Sequence, residues 1–408
     1  MLMDPTPILF IGAIILFIGF FGEVIFKRTR IPDVVWLLLL GVALSFLLGT
    51  VEKALVKEWA AFFGTIALIV ILFSSGLTLN LKAVVRSVPR ALVLSLVASL
   101  FSAAAVAAAA YLFGWPLLHS LLLGIAVGGT SSAIAPALRT LKLSEQLSSL
   151  VVLESTINDV YTLVFGMAVV QMLSQDLVSN SAIQVITSAF GVGLLVGLVS
   201  GVAWLYALAR LETERKSYVV TLAALFFIYV LAEFMKGNGA LAVLMFGLVL
   251  GNREALKSIL NLPKTMLAAP EAKFFFSEME FLIKTFFFVY LGLLLQFDRL
   301  DLVAYGLAIS ALLFIVRKAA VEFSLLKSEF TPREKTYITL FGARGLTAAV
   351  LIQLPVSVLG PGTASYALLG DLATIGLSVI FFSTLIMVGG IWRTERKETK
   401  PAQSKATG

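Results

Sequence analysis

Cysteine is absent from all 408 residues, and histidine occurs once, at His119. Disulfides and thiolate metal sites are therefore excluded, and a zinc or haem centre has too few ligands. Charge is scarce as well: 13% of the residues are Asp, Glu, Lys or Arg, against 59% hydrophobic. A soluble domain of this size does not require so much apolar surface. No ATP-binding loop is present, which argues against an ATP-driven pump, and neither His-Glu-x-x-His nor Gly-x-Gly-Asp appears, which leaves an intramembrane enzyme without its residues. No cofactor is expected.

What the chain does have is a succession of long apolar runs, most of them able to supply the roughly 20 residues that cross a bilayer. The reading is an all-α polytopic membrane protein, one membrane domain over 1–408. Hydropathy between charges and Pro/Gly breaks gives 13 spans, near 8–26, 34–50, 59–79, 90–113, 116–138, 148–175, 181–209, 218–235, 239–251, 274–297, 302–326, 333–357 and 366–392. The start, "MLMDPTPILF", has no basic segment and no small-residue cleavage site, so the first span is expected to be retained.

The charges test that count. If the basic tail 393–408 is cytoplasmic, connections on its side carry 23 Lys and Arg, and those on the opposite side carry four. The positive-inside rule then favours 13 spans with the N-terminus outside and a cytoplasmic C-terminus. Much of the net charge of +7 is accordingly topology and lipid-headgroup contact rather than nucleic-acid binding.

Four basic residues remain within spans: Lys284, Arg317, Lys318 and Arg344. The deepest acids are Glu154 and Asp159, in "LESTINDVYTLVF". Ionisable residues inside a membrane are functional candidates. Positions four apart nearly superimpose on a helix, so Ser155 and Asp159 share one stripe, Glu154 and Asn158 the next. The first pairing suits a small desolvated cation, the second a fixed structural partner. Arg344, in "FGARGLTAAVLI", is the expected partner of Glu154, because a guanidinium inside hydrocarbon requires a carboxylate. With Glu154 so engaged, Asp159 can hold either a proton or a cation, which is exchange chemistry. The bland alternative is a polar network that only locks helices together.

Span five, "LLLGIAVGGTSSAIAPAL", contains Gly128, Gly129, Thr130, Ser131, Ser132 and Pro136, a weak point at which a membrane helix can break where its backbone lines a cavity. Span twelve has a similar interruption at Gly342, Gly345 and Thr347. Their odd separation gives them opposite orientations. The expected organisation is an inverted repeat, 8–175 and 218–392, joined by a connecting span 181–209, with two broken helices marking a transport site.

These residues carry a resemblance. The chain resembles the cation/proton antiporter superfamily, in particular its NhaP-like sodium/proton exchanger branch, through "ESTIND", "GARGLT", "ILFSSGLTLNL", "GNGALAVLMFGLVLGN" and "IKTFFFVYLGLLL". The resemblance implies the sodium/proton antiporter fold with crossing broken helices, and a homodimer in which spans 4–6 and 11–13 move against a dimerisation domain. Carried over, it makes Asp159 the shared proton and cation carrier, with Ser155 and the Thr130 backbone as ion ligands. It has Glu154 pair with Arg344, with Asn158 supporting the crossing, and associates an Asn before the Asp with electroneutral exchange. Two departures stand out: Thr130-Ser131-Ser132 replaces Thr-Asp-Pro, and Leu72-Phe73-Ser74-Ser75-Gly76 replaces Leu-Phe-Glu-Gly-Gly. Hydroxyls thus stand where two carboxylates are common, which puts Ser131 and Ser74 among the candidate ligands. A weaker field dehydrates Na⁺ less easily, so Na⁺ is favoured only modestly over K⁺.

Several residues have quieter readings. Lys284 could compensate Asp159 or tie a backbone carbonyl; Arg317 could line a cytoplasmic funnel. Lys318 is expected to snorkel beside Glu322, His119 to sit at the outer interface, and the Phe-rich "KFFFSEMEF" to be lipid-facing or packing surface. The expected activity is Na⁺/H⁺ exchange in a cell membrane, by default a prokaryotic inner membrane. K⁺/H⁺ exchange is the alternative; a cation channel or an organic-anion symporter is further off.

Overall fold

The computed structural model describes, with single-residue omissions, residues 12–22, 33–47, 65–77, 89–130, 143–174, 181–210, 217–260, 270–294, 299–359 and 366–404. Ser131, Ser132 and Pro136 lie outside the described residues. The helices are α1 Asp33–Leu47, α2 Pro89–Leu112, α3 Leu117–Gly128, α4 Glu145–Ser174, α5 Ser181–Arg210, α6 Ser217–Phe234 and α7 Gly239–Gly251, followed by α8 Arg253–Leu260, α9 Pro270–Leu294, α10 Leu300–Ser324, α11 Pro332–Leu340, α12 Leu346–Leu359 and α13 Tyr366–Ser404. Shorter apolar helical segments run over Gly12–Gly22 and Thr65–Ser74. Every expected span coincides with one of these, and α8 is an additional short helix after the seventh. Among the described residues, α2, α4, α5, α10 and α13 are long and apolar enough to cross a membrane.

Two spans are broken, as their glycines predict. Helix α3 stops at Gly128, and Gly129 is extended (φ −76°, ψ 152°). A side chain at Gly129 would strike the Thr162 hydroxyl, so only glycine lets the interrupted strand lie against α4. Span twelve divides into α11, which starts on a Thr331/Glu334 capping box, and α12, with residues 341–345 non-helical between them.

The chain forms two compact units. The first comprises residues 1–54, 88–169 and 288–408; the second comprises 55–87 and 170–287. In the first, α4 is the most buried of the five long spans, with 71% of its apolar window covered. Polar residues on α4 therefore face protein rather than lipid. A core of Leu94, Leu147, Val151, Val321, Ile338, Phe341 and Met387 packs α2, α4, α10, α11 and α13 together around it. Helix α13 continues through 393–404, where the basic tail was expected to separate from the last span. Arg396 stacks over Trp392 there, 3.8 Å from the ring centroid.

The second unit is built on glycine. Gly193, Gly197 and Gly201 of α5 form one stripe, and a Cβ at each would collide with Asn238, Ala242 or Val249. Gly247 and Gly251 of α7 press on the backbone carbonyls of Phe73 and Leu77 in the same way. Small residues let membrane helices approach closely enough for van der Waals packing to hold them without a hydrophobic driving force. Helix α7 starts on Asn238, whose side chain accepts from the Leu241 N–H at 2.8 Å, while Glu233 accepts from the Gly239 N–H at 2.8 Å.

Candidate functional site

Among the described residues the buried charged side chains are Glu154, Asp159, Arg317 and Arg344, exposed by 0%, 9%, 1% and 2%. All lie in the first unit. The pairing among them is not the expected one. Glu154 takes Arg317 of α10, not Arg344: Nη1 meets Oε1 at 2.7 Å and Nη2 meets Oε2 at 2.9 Å, a two-pronged bridge. Arg317 also donates from Nε and Nη2 to the Ile338 carbonyl, at 3.1 and 2.9 Å. It is thus sealed in the core rather than lining a funnel. Gly342 makes room for it, since a Cβ there would lie 2.6 Å from its Cδ.

Arg344 directs its hydrogen bonds to acceptors that the helix breaks supply, with the Glu154 charge acting on it from within the same buried cluster. Its Nε donates to the Val127 carbonyl at 2.6 Å and its Nη1 donates to the Gly342 carbonyl. Carbonyls near a helix end lack intrahelical donors, and inside a bilayer water does not serve them. One guanidinium thereby joins the end of α3 to the interruption of span twelve, and the two broken helices meet. The Arg344 N–H donates to the Ser383 hydroxyl at 3.1 Å.

Asn158 has identifiable partners on two other elements. Its Nδ2 donates to Thr130 Oγ1 at 2.8 Å, and its Oδ1 accepts from Ser95 at 3.1 Å and from Ser99. Both serines lie one turn apart on α2, so one amide ties α2, α4 and the break after α3. The Thr130 side chain is engaged here, whereas the resemblance assigned its backbone to the ion. Asp159 accepts a hydrogen bond at Oδ1 from the Thr347 hydroxyl at 2.6 Å. Ser155, buried to 3% exposure, sits one turn before Asp159 on the same stripe.

Thr347 is the functional candidate that sequence reasoning missed. It was read only as part of the break, although its place at the start of the resumed helix, three residues after Arg344, was a usable signal. The remaining candidates are placed elsewhere. Ser74 belongs to the second unit and donates to Glu280 of α9; Lys284 lies one turn beyond Glu280, half-buried. The expected Lys318–Glu322 pairing is replaced by Lys335 Nζ to Glu322 at 3.6 Å, because α11 brings its lysine to the end of α10. His119, the third residue of α3, is buried at 4% exposure.

Comparison with known proteins agrees with the fold. The solved structure of the sodium proton antiporter MjNhaP1 from Methanocaldococcus jannaschii superposes with a TM-score of 0.74, at 20% identity, over 95% of this chain and 98% of that one. By sequence, a curated relative from the same organism, named Na(+)/H(+) antiporter 1, is 25% identical over 390 residues, 87% of this chain and 88% of its own length. The K(+)/H(+) antiporter NhaP2 of Shewanella sp. strain MR-4 is 30% identical over 269 residues, 63% of this chain. The match spans 44% of that relative's length, so the chain corresponds to less than half of it. A family model described as sodium/hydrogen exchanger, transmembrane, matches residues 12–394. The chain belongs to the sodium/hydrogen exchanger family, a family of membrane transporters.

Proposed function

We propose that the protein is a secondary antiporter that exchanges a monovalent cation for a proton by alternating access, with Asp159 as the shared carrier. The observation that carries this reading is the buried Asp159 carboxylate, held by the Thr347 hydroxyl at 2.6 Å beside the meeting point of two broken helices. Ser155 adds a second hydroxyl on the stripe. A proton or a cation neutralises this carboxylate, and each excludes the other, so competition couples the two fluxes.

Charge balance supports one-for-one exchange. Two buried guanidinium groups, Arg317 and Arg344, stand against two carboxylates, Glu154 and Asp159. With Asp159 ionised the four cancel; with either a proton or a monovalent cation on it, the cluster carries the same single positive charge. Relocation therefore moves the same charge whichever ligand is aboard. Na⁺ is the first reading of the cation, consistent with the name of the relative that matches over most of both chains. K⁺ is the second, favoured by the hydroxyls that Ser131 and Ser74 place in the sequence where carboxylates are common, and by relatives named K⁺/H⁺ antiporters. The assembly is a homodimer in a cell membrane, with the C-terminus cytoplasmic.

The test is reconstitution in liposomes with an interior pH dye, an imposed gradient and separate additions of Na⁺ and K⁺. Proton movement triggered by one cation is expected, persisting with the voltage clamped at zero and vanishing in Asp159→Asn. Cation-independent proton flux, or an active Asp159→Asn variant, would remove Asp159 from the carrier role and favour the channel reading.

A further inference from the structure

The second unit contains a carboxylate that the function above does not use. Glu280 of α9 is half-buried, and the 7%-exposed Ser74 donates its hydroxyl hydrogen to Glu280 Oε2. The contact is not a loose surface encounter. On one flank, Phe73 and Leu77 are pinned by their carbonyls against Gly247 and Gly251 of α7. On the other, Phe276, one turn before Glu280, meets the Phe73 ring edge-on at a centroid distance of 4.9 Å. Ser74 is thus set between two helices that fix its position. The run "KFFFSEMEF" is packing surface at Phe276, and it also turns Glu280 toward a hydroxyl.

Ser74 stands at the point where the family pattern commonly has Glu, and the structure brings a carboxylate to it from a different helix. By the ~1.5 Å rise of a helix, Glu280 lies about 9 Å along α9 from residue 274, where the expected span begins. Lys284 follows four residues later on the same stripe, half-buried. A carboxylate oriented by a buried hydroxyl, in a membrane segment, has the chemistry to attract a monovalent cation and to give it up again.

We propose that Glu280, oriented by Ser74, is a second cation-attracting carboxylate that sets the apparent affinity of the protein for the cation it exchanges. The proposal rests on the antiporter reading and is separable from it, because Asp159 governs whether exchange occurs and Glu280 the cation concentration at which it half-saturates.

The experiment measures cation-triggered proton flux in liposomes against cation concentration for four proteins: wild type, Glu280→Gln, Glu280→Asp and the double variant S74E/E280S. Loss of one charge-assisted contact predicts that Glu280→Gln raises the half-saturating concentration about tenfold with its maximal rate kept. Glu280→Asp should stay within about threefold of wild type, on the same ~1.4 kcal/mol-per-decade scale. The double variant, which moves the carboxylate to the other helix, should recover most of the loss. A helix tie would respond to shape, not charge: Gln can still accept from Ser74. An unchanged half-saturation in Glu280→Gln, or a double variant as impaired as Glu280→Gln, would overturn the proposal. Failure of Glu280→Gln to purify as a folded protein would assign the carboxylate to packing and overturn it too. Inactivity of Asp159→Asn alongside an unaltered Glu280→Gln would leave the antiporter reading standing alone.

Discussion

Replacing Arg317 by Met should leave Glu154 as a buried carboxylate without its two-pronged partner. The bridge is made at 2.7 and 2.9 Å between side chains exposed by 1% and 0%, so little solvent screens it. Removing one member of such a pair costs about 3–5 kcal/mol, chiefly because the survivor stays buried and uncompensated. Glu154→Gln should fall at the lower end, about 3 kcal/mol, because Arg317 keeps its two bonds to the Ile338 carbonyl and the amide oxygen still accepts one more. Removing both charges together should cost less than the two single changes added, leaving a coupling of about 2 kcal/mol or more. The competing pairing, Glu154 with Arg344, predicts the opposite distribution. In the structure Arg344 donates to carbonyls and meets Glu154 only through the electrostatic field, so a cycle of Glu154→Gln with Arg344→Met should show smaller coupling than the cycle with Arg317. The assay is reversible unfolding in mixed micelles of mild detergent and SDS, run on both cycles. Coupling larger for Arg344 than for Arg317 would refute the assignment of the bridge, and with it the account of how the breaks are held.

Thr347→Ala should lower the exchange rate about fivefold by removing the hydroxyl on Asp159, with Thr347→Ser near wild type; equal defects in the two would show that the methyl, not the hydroxyl, matters. Gly129→Ala should destabilise the protein by about 1–3 kcal/mol through collision with Thr162, and Gly129→Ala combined with Thr162→Ala should regain most of it, as read by the unfolding midpoint. Gly247→Ala has no such remedy, since its Cβ would meet the Phe73 backbone carbonyl, and the variant should be recovered in low yield as an aggregation-prone protein. A joint Ser95→Ala and Ser99→Ala change should strip the Asn158 carbonyl of both donors and cost about 1–3 kcal/mol in the same micelle titration, while either single change costs less.

Hydropathy made the helices legible, because each span had to be apolar over its own length whatever its neighbours were. The two interruptions were legible for a related reason: Gly129 and Gly342 sit where a Cβ would strike Thr162 or Arg317, so the sequence at a break is constrained locally. The ion pair was not. Chain position gives the depth of Arg317 along α10 but not which neighbour its guanidinium reaches, and an arginine seven residues from the end of that helix reads equally well as lining a cytoplasmic funnel. Arg344 misled for a different reason. The rule that a buried guanidinium requires a carboxylate omits the carbonyls that broken helices leave without donors, and those exist only once both breaks are placed side by side. Glu280 was obscured by its Phe-rich surroundings, which read as lipid contact in one dimension.

The adjacent Asn158 and Asp159 divide the crossing between them. Asn158 is bound to Thr130, just after the first break, and Asp159 to Thr347, just after the second. An amide cannot change charge in this range, and with Ser95 and Ser99 on its carbonyl its bonds are the same whichever ligand is present. The bond to Asp159 differs, since the Thr347 hydroxyl donates to a carboxylate whose acceptor strength falls when a proton or a cation occupies it. One break is thus tied to α4 through Asn158, and the other through Asp159. In the function proposed above, loading Asp159 alters its tie to Thr347 and leaves the Asn158 tie to Thr130 in place, an asymmetry that a rule permitting relocation of the loaded protein alone could use.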